Sequence, residues 1–262
     1  MAILQSSLRV QLRVIGALMM RELHTRYGRE NIGFAWFIGE PIIFTFGVVA
    51  LWSQTRGYSE HGISVITFVI TGYTPLTMWR HCFGQAINSL KANGSLLYHR
   101  QITFLDIIAA RVAIEIAGST LAFIVSVLLF AGILGLIGFP EGDPSLLLCG
   151  WLLFCWFSAA TALLVGPITE MSHLAEKLAP VFGYIMIPLC GAFWMVDWLP
   201  GWLQHYAIMI PPVSAYEMIR SGYFGDHVKT FYDPLAASTV CTFMTFVGLS
   251  MLRRSRNQLA VE

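Results

Sequence analysis

The chain has 262 residues, of which 56% are hydrophobic and only 12% charged. A soluble domain carries about 25% charged residues, so one large soluble domain is excluded, and several apolar runs near the roughly 20-residue spanning length indicate a polytopic membrane protein. The formal net charge is +1, and the basic residues follow the predicted membrane topology instead of forming the patch a nucleic acid would need.

The first predicted element is residues 1–32. Leu8, Leu12, Ile15, Leu18, Met19 and Leu23 alternate there with Arg9, Arg13, Arg21 and Arg26. This spacing predicts a helix with one apolar and one basic face, lying in the membrane interface. It reads either as a plain anchor or as a helix at the mouth of a pathway. The stretch is polar for about thirty residues and lacks a small-residue cleavage site, so no cleaved leader is expected.

Membrane segment one is predicted over residues 33–53, with Glu40-Pro41 inside it. At 1.5 Å per residue, Glu40 lies about 10 Å beyond Gly33. A carboxylate at that depth is expected to face protein or water, and Pro41 can kink the helix. Segment two covers 63–83 and contains Thr71-Gly72-Tyr73-Thr74-Pro75. Residues 85–106 are too polar to span and predict a cytoplasmic helix and turn, broken at Asn93-Gly94.

Segment three covers 107–137 and exceeds what a bilayer needs. Arg111 and Glu115 stand four apart at its start, a spacing that allows them to pair. Gly138 to Pro144 predicts an outer turn without basic residues, and segment four covers 146–165, stopped by Gly166-Pro167. Residues 169–178 predict an inner loop or short helix, and segment five covers 180–194.

Residues 195–233 are too apolar for a simple loop, yet Pro200-Gly201, Pro211-Pro212 and Ser221-Gly222 interrupt them. Two short helices are expected, roughly 201–210 and 213–223, re-entering the outer leaflet beside a cavity, since irregular backbone at membrane depth needs protein or water around it. Trp194, Trp198, Trp202 and Tyr206 crowd there as in an aromatic belt. Segment six covers 234–252 and ends at Arg253-Arg254-Ser255-Arg256. With both termini inside, only Arg56, Arg220 and Lys229 among the 16 Lys and Arg fall outside, the bias that cytoplasmic flanks carry.

The chain lacks a GxxxxGK(S/T) phosphate loop, so it does not bind nucleotide in that way. Neither HExxH nor GxSxG is present, and Cys82, Cys149, Cys155, Cys190 and Cys241 form no CxxC pair. The cysteines read as small buried hydrophobes. No metal site is expected, because His173 near Glu170 and Glu176 is an ordinary solvated-helix pattern. No acidic relay crosses the midplane as a proton-coupled carrier would need, so energy must come from a partner or the protein must be passive.

Arg21-Glu22-Leu23, Arg26-Tyr27-Gly28, Gly33-Phe34-Ala35-Trp36 and Glu40-Pro41 resemble the N-terminal signature of polysaccharide-exporting permeases in the type-2 ABC exporter family. The similarity is greatest to the membrane subunit of Gram-negative capsular polysaccharide exporters. It continues through Thr71-Gly72-Tyr73 with Arg80, Leu96-Leu97-Tyr98-His99-Arg100, Thr103-Phe104-Leu105-Asp106, and Pro211-Pro212 through Glu217, Arg220 and Gly222-Tyr223-Phe224-Gly225.

The resemblance implies an all-α permease in the bacterial inner membrane, non-catalytic itself. It implies a second copy, two ABC ATPase subunits that bind the ATP and Mg, a periplasmic co-polymerase and outer-membrane export proteins. The implied substrate is a lipid-linked acidic polysaccharide. Arg21, Arg26, Tyr27, Arg29 and Glu40 would form the substrate gate, and Trp36, Phe37, Phe44, Trp194 and Trp198 the channel. Asn88, Lys91, Leu96, Tyr98 and Arg100 would couple to the ATPase, and Trp202, Tyr206, Glu217 and Arg220 belong to the outer re-entrant region. The rival readings are an O-antigen or teichoic acid exporter, a membrane-embedded glycolipid enzyme, and a passive channel.

Overall fold

The fold is described from a computed structural model, which covers residues 2–27, 32–55, 59–60, 63–87, 89 and 102–259. Among these residues the chain forms nine α-helices. In order they are α1 (Ala2–Tyr27), α2 (Ile32–Thr55), α3 (Val65–Ala86), α4 (Phe104–Val127), α5 (Pro144–Met171), α6 (His173–Leu189), α7 (Gly201–Ala207), α8 (Pro211–Phe224) and α9 (Pro234–Leu259). The described strands are a two-residue antiparallel pair, Ser59–Glu60 with Ile63–Ser64, directly before α3. Phe104–Ile133, Pro144–Met171 and Pro234–Arg254 are long and apolar enough to cross a membrane. The architecture is that of an all-α polytopic membrane protein.

Helix α3 is the centre. Every residue from Val65 to Trp79 is buried, and α3 packs on α2, α4, α5 and α8. Helix α5 carries α8 and α9 on its other sides. Helix α1 lies against α4 and α2. Helix α6 has no buried residue.

Several predicted boundaries move. Segment four does not stop at Gly166-Pro167, because α5 runs through Pro167 to Met171. One proline removes one donor, and neighbouring helices and hydroxyls can make good that loss inside a membrane bundle. Here the carbonyl that loses its donor is that of Leu163, against which Gly248 of α9 packs closely, and Gly166 lets Ile108 of α4 close in. The inner loop or short helix expected at 169–178 is the end of α5 and the start of α6, broken only at Ser172, which caps α6 by accepting from the Ala175 N–H. Helix α6 ends at Leu189 instead of 194. Segment three ends earlier too, as α4 passes into a π-helical turn, Leu128–Ile133.

The α4 start is set by a reciprocal capping box. The Thr103 hydroxyl accepts from the Asp106 N–H, and the Asp106 carboxylate accepts from the Thr103 N–H at 2.8 Å. Such a box satisfies two donors that a helix start otherwise leaves open. Helix α8 begins at Pro211-Pro212, suited to a first turn whose N–H groups are orphans. It stops at Gly225, whose φ of 58° falls in the left-handed region that side chains disfavour.

The pair of short helices expected at 201–210 and 213–223 is present as α7 and α8, but the two differ in kind. Helix α7 exposes Trp202 (72%) and Tyr206 (63%). Every residue from Pro211 to Arg220 is buried, because α8 lies close against α5. A Cβ on Gly150 would stand 2.8 Å from the Ile219 backbone nitrogen, and one on Gly222 would collide with the Leu147 backbone.

Candidate functional site

Of the predicted gate residues, Glu40 joins a polar cluster where α1, α2, α3 and α4 converge. Arg21 is exposed on α1, and its neighbour Glu22 turns inward to the Arg111 Nε of α4 at 3.1 Å. Arg111 also donates from Nη1 to the Gln85 carbonyl at 2.9 Å, in the last turn of α3. One turn earlier on α3, His81 stands between two carboxylates. Its Nε2 is 3.6 Å from Glu40 of α2, and its Nδ1 is 3.5 Å from Glu115 of α4. Tyr73 lies beside Glu40 as well. Nearer the start of α4, the Gln11 amide donates to Asp106 at 3.0 Å.

The Arg111–Glu115 pairing allowed by spacing does not form. The two side chains lie one turn apart on α4 but reach to different helices, Arg111 to α1 and Glu115 to α3. Glu115 and Asp106 are both 1% exposed, and a buried carboxylate is tolerated only when partners replace its water. Sequence reasoning did not pick out His81, Glu22 or Gln11. Their partners lie on other helices, and only the Thr103-x-x-Asp106 capping pattern was readable locally.

Arg26 and Tyr27 close the last turn of α1, with side chains outside the described residues, as is the side chain of Phe37. Arg29 and all five coupling candidates, Asn88, Lys91, Leu96, Tyr98 and Arg100, lie outside the described residues. Trp36 on α2 is 58% exposed. Phe44 is partly buried and lies flat on Tyr73, with ring centroids 3.6 Å apart and planes 9° from parallel. Trp198 packs on Phe68 at 5.3 Å, and the Trp194 indole N–H donates to the Pro188 carbonyl at 2.8 Å.

Glu217 and Arg220 form a second polar centre inside α8. Arg220 donates to three backbone carbonyls in the turn after α6, from Nη1 to Gly191 (2.9 Å) and Trp194 (2.7 Å), and from Nη2 to Ala192 (2.6 Å). Its guanidinium lies 4.2 Å over the Phe68 ring, where cation–π attraction adds to the hydrogen bonds. Glu217 accepts from the N–H groups of Val196 and Phe231, both at 3.1 Å. Arg220, read from the sequence as an outer charge, is a fully buried clamp (0% exposed). Among the described residues no group of three or more His, Cys, Asp or Glu is placed to hold a metal ion.

Residues 13–224 match the ABC-2 type transporter family. The chain belongs to that family. This ABC-2 family member is 41% identical over 249 residues to the capsule polysaccharide export inner-membrane protein CtrC of Neisseria meningitidis serogroup A, covering 95% of this chain and 93% of the relative. It is 40% identical over 252 residues to the capsule polysaccharide export inner-membrane protein BexB of Haemophilus influenzae, with coverage of 95% and 93%. A more distant relative is the polysialic acid transport protein KpsM of Escherichia coli, 24% identical over 255 residues, with coverage of 95% and 96%. The family span takes in every helix from the second half of α1 to the end of α8.

Proposed function

We propose that this chain is the non-catalytic permease subunit of an ATP-driven exporter that moves lipid-linked capsular polysaccharide across a bacterial inner membrane. The observation that carries the reading is near-full-length identity of 40–41% to proteins named for capsule polysaccharide export at the inner membrane. The chain acts as a pair, with two ATPase subunits on the cytoplasmic side binding the ATP and Mg. Six helices span, α2 to α6 and α9, and both termini are cytoplasmic. The unburied α6 supports a second copy packed against this face.

In this reading the lipid-linked acidic glycan meets Arg21, Arg26, Tyr27 and Arg29 at the end of α1 and enters past Glu40. Guanidinium groups bind acidic sugars and phosphates by charge-assisted, forked hydrogen bonds. Exposed Trp36 and its aromatic neighbours offer apolar faces along which a sugar chain slides without a fixed register. Residues 88–100 couple to the ATPase. Periplasmic and outer-membrane export proteins complete the route.

The test is affinity purification from the native membrane with mass spectrometry of bound proteins, together with lipid-linked glycan analysis of a deletion strain. One ATPase copy per chain and intracellular acidic capsule precursor are expected. Absence of an ATPase, or accumulation of O-antigen or teichoic acid precursor, overturns the proposal.

A further inference from the structure

The polar contacts between α1–α4 form a ladder. His81 and Gln85 stand one turn apart on α3, and Glu115 and Arg111 stand one turn apart on α4, so the two rungs are about 6 Å apart along the hairpin. The first rung runs from Glu40 through His81 to Glu115. The second runs from Glu22 through Arg111 to the Gln85 carbonyl. Asp106 adds a foot, capping α4 and holding Gln11. The ladder thus ties α1 at two points and α2 at one to the hairpin that α3 and α4 make.

Apolar contacts would hold these helices together at lower cost. Replacing a buried ion pair by well-packed apolar groups is often neutral or stabilising. The ladder is flanked by such groups already, including Cys82, Phe83, Ile107, Ile108 and Ile114, all buried. What Arg111 adds is a defined pairing, a charge contact with Glu22 of α1 at 3.1 Å together with a hydrogen bond to the Gln85 carbonyl of α3 at 2.9 Å, whereas His81 makes looser charge contacts at 3.5–3.6 Å. Coupling between distant sites needs such rigid links between elements that move as units. We propose that Arg111, through Glu22, is a positioning residue that carries movement of the α3–α4 hairpin to α1. This rests on the exporter reading, in which ATP hydrolysis moves that hairpin.

The test uses the full complex of this chain with its copurified ATPase, comparing wild type, Glu22→Gln, Arg111→Gln and the double variant. Export per assembled complex is read from surface glycan, and ATP hydrolysis is read on the same preparation. Coupling free energies of the usual size predict that each single variant loses export by about tenfold while hydrolysis changes by less than about twofold. The double variant is expected to be no worse than the poorer single variant, because the two side chains act as one link.

Export per complex that stays at the wild-type level overturns the proposal. So does a loss of export matched by an equal loss of hydrolysis, which marks a merely structural contact. If Arg111→Gln fails to assemble, Glu22→Gln decides alone, because it keeps the shape of the side chain and leaves the Arg111–Gln85 bond intact. Failure of the exporter reading appears separately, as a wild-type chain that brings down no ATPase.

Discussion

Replacing Arg220 by methionine keeps an unbranched side chain against Phe68 but removes every donor. The carbonyls of Gly191, Ala192 and Trp194 then lose their partner, and Glu217, three residues earlier, loses the nearby cation. An unsatisfied buried polar group costs about 1–3 kcal/mol, and removing one member of a buried charged network costs about 3–5 kcal/mol. The turn after α6 can relax outward and recover part of this from water. We therefore expect Arg220→Met to cost about 4 kcal/mol, the middle of the second range. For a chain of this size that is a fall of about 10 °C in Tm. Arg220→Lys keeps the charge without the planar fork that serves three carbonyls at once, and should fall between the two. The assay is thermal unfolding in detergent, followed by the tryptophan fluorescence of the α6–α7 turn. A Tm for Arg220→Met indistinguishable from wild type would refute the claim that this side chain holds the turn to α8.

Four other outcomes follow from the same coordinates and from the exporter reading. Gly150→Val places a branched side chain where a single Cβ already sits 2.8 Å from the Ile219 nitrogen, so it should part α5 from α8 and cost at least about 1–3 kcal/mol, seen as loss of monodisperse protein on size exclusion. Trp36→Ala should lower export with Tm unchanged, whereas Phe44→Ala, which breaks the stack on Tyr73, should also lose about 0.5–1.5 kcal/mol of stability. Arg26→Ala and Arg29→Ala should impair export while ATPase copurification stays normal; lost copurification would make them structural. The Asp143 carboxylate, at the start of α5, is held below its ordinary value by hydrogen bonds from the Ser145 hydroxyl and N–H. Its contribution is therefore full at neutral pH and disappears only as pH falls below the usual carboxylate range, so Asp143→Asn should lower Tm slightly between pH 5 and 8, with the difference from wild type shrinking at lower pH.

Apolar runs announced the places of α4, α5 and α9, because a membrane helix needs a long uninterrupted stretch and little else resembles one. Pro211-Pro212 likewise marked the start of α8, whereas Ser221-Gly222, read as an interruption, lies inside it. The burial of α8 was hidden. Glu217, Arg220 and Ser214 give it a polar composition, and what satisfies them is mostly backbone, from turns 14 to 29 residues away in sequence. A side chain that binds backbone leaves no complementary residue type for a reader to find. Pro167 misled for a related reason: the loss of one donor is a local fact, and the close packing of α4 and α9 around that turn is a tertiary one. For Arg111, spacing offered Glu115 as a partner, and the fold chose Glu22 because α1 lies across α4. The aromatic residues were legible as a class, but which of them is free, as Trp36 is, and which is spent on packing, as Phe44 is, depends on where α3 sits.

The tight seating of α8 has a mechanical consequence. Its backbone abuts α5 at Gly150 and Gly222, the Tyr216 hydroxyl donates to the Gly72 carbonyl of α3 at 3.0 Å, and Arg220 grips the turn after α6. A hinged flap needs a weak seam along which to part, and three fasteners to three different elements leave none here. This end of the molecule is a fixed roof that travels with the walls beneath it. In the exporter reading proposed above, a passage wide enough for a polymer would open as a crack between whole subunits, its width set by how far two such rigid halves separate.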